Sequence, residues 1–317
     1  MVLNFVLITV GFVLLVKGAD ILIEGSSQVA RKYNVSDIVI GLTIVALGTS
    51  APELIVSIIS AVKGNSGIAL GNVIGSNIAN LCLVLGITGL IVPISIKKGT
   101  VWKEIPFCLF AAVLLATMLF FFNDPAKHVV LLRAEALILI ACFIAYLVYM
   151  FFAAKEPPLA VADDNKKSMT TSVLLIIGGL GGLLYGGHLI VSNAVVVAQG
   201  FGVSEEMIGI TIVAVGTSLP EVAASITSVL KGKHDIAVGN VVGSNIFNTF
   251  LVLGSAAAIK PLAVENSLNT DAVLMSAASI FLFIFMFTGK KQKLDRWEAA
   301  LFLTAYAGYI CFAVYRG

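Results

Sequence analysis

Charge is the scarcest commodity in this 317-residue chain: 12% of its residues are Asp, Glu, Lys or Arg, where a soluble domain carries roughly a quarter. The deficit runs through one apolar segment after another, each long enough for the about 20 helical residues that a bilayer crossing takes. Hydrophobic residues make up 59% of the chain. That excludes an ordinary soluble domain and leaves a polytopic membrane protein. Cysteine is also sparse. Cys82, Cys108, Cys142 and Cys311 lie far apart in apolar runs with no CxxC pair, which excludes a thiolate metal centre and marks them as small hydrophobes. With a net charge of +2 and no basic stripe interleaved with aromatics, nothing points to nucleic acid. The N-terminal MVLNFVLITVGFVLLV lacks a basic n-region and a small-x-small cleavage site, so it reads as a retained first span.

What is there is a set of ten apolar spans, near 2–28, 36–62, 66–92, 101–122, 126–152, 171–198, 206–230, 234–259, 270–288 and 296–315. The one linker of soluble composition, residues 153–170, is charged, carries Pro157 and Pro158, and divides the chain near its middle. The expected fold is therefore all-α: a five-helix repeat over 1–152 and a second over 171–317. Because five is odd, the second repeat enters the membrane from the opposite face and is inverted. Of the Lys and Arg residues, 15 fall at one face and 5 at the other. The basic-rich face is thus read as cytoplasmic, with the linker inside and both termini outside.

Two copies of one stretch organise the chain. Gly41 to Gly86 and Gly209 to Gly254 align without a gap at an offset of 168, with 29 of 46 positions identical. Each copy sets a carboxylate, Glu53 or Glu221, directly after Gly-Thr-Ser-x-Pro within an apolar run, and a charge at membrane depth marks a functional site by default. Pro52 removes a backbone N–H, so the carbonyls of Gly48 and Thr49 lose their usual partners. Gly48 is expected to let the chain unwind there. Freed carbonyls are tolerated only where protein or a polar cavity receives them. With the carboxylate and the hydroxyls of Thr49 and Ser50 they form a set of hard oxygen donors, as Ca²⁺ and Na⁺ prefer. Gly216-Thr217-Ser218-Leu219-Pro220-Glu221 repeats the set. The next span of each copy adds Asn72, Ser76 and Asn80, or Asn240, Ser244 and Asn248, along one helix face. Its glycines, Gly71 and Gly75 with Gly239 and Gly243, suit a kinked or broken helix. A single Ser or Asn in such a span ordinarily ties helices together. Four oxygen-rich segments, duplicated, exceed that role.

Elsewhere, Gly11, Gly18 and Gly25 form a stripe in span 1 that Gly179 and Gly186 repeat in span 6. Its two readings are tight static packing or a smooth surface on which these spans slide over the rest. Glu104, Glu135, Asp271 and Glu298 fall near span ends, where snorkelling is cheap. His188 is read as a packed or pore-edge residue.

GTSxPE followed by GNxxGSNxxN, present twice, resembles the alpha repeats of the sodium/calcium exchangers in the cation/calcium antiporter superfamily. The resemblance implies Ca²⁺ ligands from Glu53 and Glu221 with the carbonyls of Thr49 and Thr217. It implies Na⁺ sites from the carbonyls of Ala46 and Ala214, from Ser50, Ser218, Ser76 and Ser244, and from the same glutamates, with Asn80 and Asn248 completing the middle. Relatives that also move K⁺ carry Asp where Asn248 stands, so K⁺ dependence is not expected. The implied activity is Na⁺/Ca²⁺ antiport by alternating access, electrogenic if more than two Na⁺ replace one Ca²⁺; a Ca²⁺/H⁺ antiporter is the alternative. No enzymatic activity is expected, since Ser50 and Ser218 have no His or Lys beside them, and no cofactor beyond the transported ions. The bilayer is the expected partner, the sequence names no protein partner and leaves the oligomeric state open with a monomer allowed, and the large regulatory loop of animal members is absent.

Overall fold

The computed structural model describes residues 1–121, 130–153, 168–202, 212, 214–264 and 266–316. Its helices are α1 (Val2–Tyr33), α2 (Asp37–Thr49), α3 (Ala51–Lys63), α4 (Ser66–Ile91), α5 (Lys98–Phe120), α6 (Arg133–Ala153), α7 (Met169–Gly200), α8 (Ala214–Thr217), α9 (Leu219–Leu230), α10 (His234–Ile259), α11 (Asn266–Phe285) and α12 (Arg296–Arg316). Among the described residues eight helices are long and apolar enough to cross a membrane, nine if the bent pair α2–α3 counts as one. The expected span at 206–230 corresponds to α8 and α9, and its first residues lie outside the described ones, as does most of the linker.

The 168-residue offset governs the middle of the fold. Asn72 Nδ2 donates to the Glu53 carbonyl at 3.2 Å and to Ser57 Oγ at 2.9 Å. Asn240 Nδ2 donates to the Glu221 carbonyl at 3.3 Å and to Ser225 Oγ at 3.0 Å. Helices α4 and α10 are not broken at their glycines, as the sequence led one to expect. Each instead runs through to a π-helical turn, Asn80–Val84 in α4 and Asn248–Val252 in α10. Such turns displace one residue from the regular ladder and occur often at functional sites.

The outer helices follow the same logic at an offset of 163. Two short antiparallel strand pairs form, β1 (Ile94–Ser95) with β4 (Lys293–Leu294), and β2 (Val130–Leu131) with β3 (Leu262–Ala263). Arg133 donates to the Ile259 carbonyl at 3.3 Å, and Arg296 donates to the carbonyls of Leu90 and Ile91 at 3.1 and 3.5 Å. Each arginine at the start of α6 or α12 therefore satisfies the orphan C-terminal carbonyls of α10 or α4, the helix of the opposite half. Glu135 and Glu298 accept the N–H of Leu132 and Asp295, both at 2.7 Å, at the same two helix starts. These carboxylates do not snorkel. Glu104, Glu135, Asp271 and Glu298 are all buried. Glu104 accepts from Tyr149 at 3.0 Å, and Asp271 receives both Arg316 guanidinium nitrogens at 3.0 and 2.9 Å.

The strand pairs also tie segments of the two halves together. The β1·β4 pair brings the segment after α4 against the segment before α12, and β2·β3 brings the segment before α6 against the segment after α10.

Helices α1 and α7 pack along their length on the glycine stripe. A Cβ added at Gly18 would lie 2.6 Å from the Leu183 nitrogen, and one at Gly179 would lie 2.5 Å from the Leu22 nitrogen. The stripe is thus consumed between α1 and α7 themselves. It is not a surface on which they face the rest of the bundle, and of the two sequence readings the close packing is the one observed. Of the cysteines, Cys82 and Cys108 are buried, Cys142 is half-buried and Cys311 is exposed. His188 is exposed.

Candidate cation site

The chain bends by 47° between α2 and α3. Ser50, at the break, has φ −84° and ψ 5°, and Ser218 repeats it at φ −89° and ψ 2°. Across the first break the backbone bonds run from Ser50 N to the Ala46 carbonyl and from Leu54 N to the Ser50 carbonyl. They pass over the carbonyls of Gly48 and Thr49, which is what Pro52 dictates. Gly48 does not unwind the chain, since it sits inside the last turn of α2. Its missing side chain makes room for Leu180 of α7, whose Cδ2 would lie 2.2 Å from an added Cβ.

Both breaks carry their carboxylates into the protein interior, where Glu53 and Glu221 are each 1% exposed. They interact electrostatically with one another. Ser76 donates to Glu53 Oε1 at 3.3 Å. Thr49 donates to Asn240 Oδ1 at 3.0 Å and lies 3.4 Å from Ser244 Oγ, which stitches the first motif to the second. The hydroxyls of Thr49 and Ser244 also lie beside Glu221. Neither reaches its carboxylate with ordinary hydrogen-bond geometry, so both Glu221 oxygens are without a partner.

The pattern of unsatisfied atoms is the most informative feature of the interior. Buried side-chain atoms with no partner include Ser50 Oγ and Ser218 Oγ, Glu53 Oε2 and both Glu221 oxygens, and both polar atoms of Asn80 and of Asn248. Asn77 Oδ1 and Asn245 Oδ1 complete the series. Each has a counterpart 168 residues away except Glu221 Oε1, whose equivalent, Glu53 Oε1, accepts from Ser76. Leaving a buried polar group unpaired costs about 1–3 kcal/mol, and native proteins keep few such groups. Orphan oxygens on two buried carboxylates, and on serines and asparagines of the helices that carry them or pack on them, fit a hard cation, whose coordination replaces missing hydrogen bonds.

Of the residues singled out in the sequence, Glu53, Glu221, Thr49, Ser50, Ser218, Ser76, Ser244, Asn80 and Asn248 are buried in this region. Thr217 is half-buried, at the end of α8. Ala46 is buried and accepts the Ser50 N–H, while Ala214 opens α8. Two further pairs escaped sequence reasoning. Asn77 donates to Thr249 Oγ1 at 2.9 Å, and Asn245 donates to the Asn77 carbonyl at 3.2 Å, so the third residue of each GSN holds α4 against α10. Ser57 and Ser225 anchor the Asn72 and Asn240 amides. Their signal was present, since all four positions are identical between the copies.

The two copies sit in unequal surroundings. Asn240, Gly239 and Gly243 are buried against α2, whereas Asn72, Gly71 and Gly75 are half-exposed. Helix α9 packs along α1, while its counterpart α3 scarcely touches α7.

A helical membrane protein with a duplicated, fully buried oxygen cluster has the architecture of an ion carrier. The family model described as sodium/calcium exchanger protein matches residues 3–152 and 171–315. The putative antiporter CaxA of Alkalimonas amylolytica is 38% identical over 98% of each chain. The sodium/calcium exchanger MaX1 of Methanosarcina acetivorans is 36% identical over 98% of this chain and 99% of its own. Among solved structures, the sodium-calcium exchanger NCX_Mj soaked without Na⁺ and Ca²⁺ superposes with a TM-score of 0.84 at 33% identity, covering 98% of both chains. The chain belongs to the sodium/calcium exchanger family of the cation/calcium antiporter superfamily. It is a multi-span membrane transporter of the cation/calcium antiport class.

Proposed function

We propose that this protein exchanges Na⁺ for Ca²⁺ across the cell membrane by alternating access. One Ca²⁺ is held between Glu53 and Glu221 with the carbonyls of Thr49 and Thr217. The Na⁺ ions are held by the same carboxylates with Ser50, Ser218, Ser76, Ser244, the carbonyls of Ala46 and Ala214, and the Asn80 and Asn248 amides. The observation that carries this reading is the set of orphan oxygens on two buried carboxylates and on serines and asparagines of the helices that carry them or pack on them. Ionised, the pair carries −2, which one Ca²⁺ neutralises. With no cation, two like charges meet in a medium where their repulsion is not screened as in water. Reorientation without cargo is therefore disfavoured, and obligatory exchange follows. If more than two Na⁺ replace each Ca²⁺, turnover senses voltage by about 2.3 kcal/mol per charge per 100 mV.

The frame is two inverted five-helix repeats, 1–152 and 171–317, joined by a cytoplasmic linker at 153–170, ten spans in all with both termini outside. Among the described residues Asn240 is buried and Asn72 half-exposed, so the two repeats stand in unequal arrangements. Exchanging the two arrangements alternates access to the site.

Tracer Ca²⁺ uptake into vesicles separates the coupling ions. An outwardly directed Na⁺ gradient without a pH gradient is expected to drive uptake, and reversing it to drive release. Uptake that follows only a pH gradient identifies a Ca²⁺/H⁺ antiporter. Asn248→Asp adds a third acidic group beside the pair, raising the site charge to −3 when ionised. We expect the variant's uptake to become sensitive to added K⁺, while the native protein's is not. Equal uptake by the variant with and without K⁺ removes position 248 from cation selection.

A further inference from the structure

The chain has two tryptophans, and both lie at the same end of the bundle. The β1·β4 pairing holds the loop before α5 against the loop before α12. Trp102 stands edge-on to Phe283 and Phe287 near the end of α11, with centroids 5.9 and 5.4 Å away. Trp297 stands edge-on to Phe285 of the same helix at 5.8 Å. Both indoles are about half exposed, at 57% and 50%, the placement of amphipathic rings at a headgroup boundary.

The same pairing gathers positive charge. Lys98 and Lys103 flank Trp102, and Lys290 and Lys291 precede β4; all four are exposed. None makes an ion pair among the described residues. The nearby acidic groups are otherwise engaged. Glu104 is buried against Tyr149, Glu298 caps the start of α12, Asp235 pairs with Lys97 at 2.9 Å, and Asp295 accepts the Lys290 N–H and faces Lys293. Four uncompensated ammonium groups thus sit beside two interfacial tryptophans, held together by a strand pair.

We propose that this surface binds the phosphate headgroup of an anionic phospholipid, with the tryptophans against its glycerol and upper acyl region. The inference needs only the membrane setting, not the cation site, so it stands or falls separately from the exchange reading. Lysines near a membrane surface attract anionic lipid additively, in a way that salt screens.

The test is native mass spectrometry of the full chain in detergent with equimolar phosphatidylglycerol and phosphatidylcholine. The native protein is expected to retain phosphatidylglycerol over phosphatidylcholine by about tenfold or more. Replacing the four lysines together by Gln (K98Q, K103Q, K290Q, K291Q) is expected to bring the ratio near one. A control pair at the opposite end, K63Q with K260Q, should leave it unchanged. All of these side chains are exposed, and a thermal melt of each variant verifies folding. High salt should collapse the native preference, which needs no variant. A quadruple variant that keeps the preference overturns the proposal, as does a control pair that loses as much. Loss of the preference on adding millimolar inorganic phosphate would assign the surface to a soluble anion instead and overturn it as well.

Discussion

Replacing either Glu53 or Glu221 by Gln is expected to reduce Na⁺-driven Ca²⁺ uptake to the level of protein-free vesicles. The amide keeps the shape of the side chain and removes one negative charge. A divalent ion entering the site then faces one carboxylate, and a net positive charge remains in an interior that cannot solvate it. The same substitutions carry a second expectation that a purely structural role does not share. Without cations the native site holds two carboxylates with three of four oxygens unpartnered. Neutralising one relieves that repulsion, so each Gln variant should melt at the same or a higher temperature than the native protein in cation-free buffer. Added Ca²⁺ should raise the native melting temperature and leave the variants' unmoved. Uptake retained at half the native rate or more, or a variant that unfolds on mutation, contradicts the assignment.

The second large effect is expected at the crossing of α1 and α7. Gly179→Ala places a methyl 2.5 Å from the Leu22 nitrogen and 2.8 Å from the Gly18 carbonyl oxygen. Backbone atoms cannot step aside as a flexible side chain does, so the two helices must separate along their contact. Overpacking of that kind costs about 1–3 kcal/mol or more. Gly178 and Gly181 lie in the same helix, and a Cβ at either meets nothing within 4 Å. Gly178→Ala and Gly181→Ala are expected to raise helix propensity and leave stability unchanged or slightly increased. Thermal melting in detergent and Ca²⁺ turnover read all three variants. Equal effects at 178 and 179 would mean that the α1–α7 contact is not close enough to matter.

The sequence was most legible where chemistry is local. Pro52 and Pro220 sit directly before a carboxylate, and the structure bends the chain there because a proline removes the bond that would have carried the helix through. The identity of the two copies was readable for the same reason: each presents the same short run of oxygen-bearing side chains around its proline. The outer helices were not legible as repeats. A lipid-facing helix needs only apolar residues, so α5 and α6 share little with α11 and α12 beyond composition. Their equivalence rests on Arg133 with Glu135 and Arg296 with Glu298, two-residue signals that emerge only once the partner carbonyls are seen. The buried carboxylates of Glu104, Asp271 and Glu298 were misread because nearness to a span end suggests water. Tyr149 and Arg316 each reach back 45 residues to satisfy Glu104 and Asp271, and Thr288 reaches Glu298 from the turn before α12. The glycine stripe pointed to close packing, but no pattern within one helix names the partner.

The central claim is that a single divalent ion sits between two carboxylates delivered by different halves of the chain. Anomalous diffraction from crystals soaked in Sr²⁺ tests it directly. The account predicts a peak bonded to one oxygen from Glu53 and one from Glu221, each at about 2.3–2.6 Å, and no such peak in the Glu221→Gln protein. Peaks confined to surface carboxylates, or bonded to one glutamate alone, would contradict it.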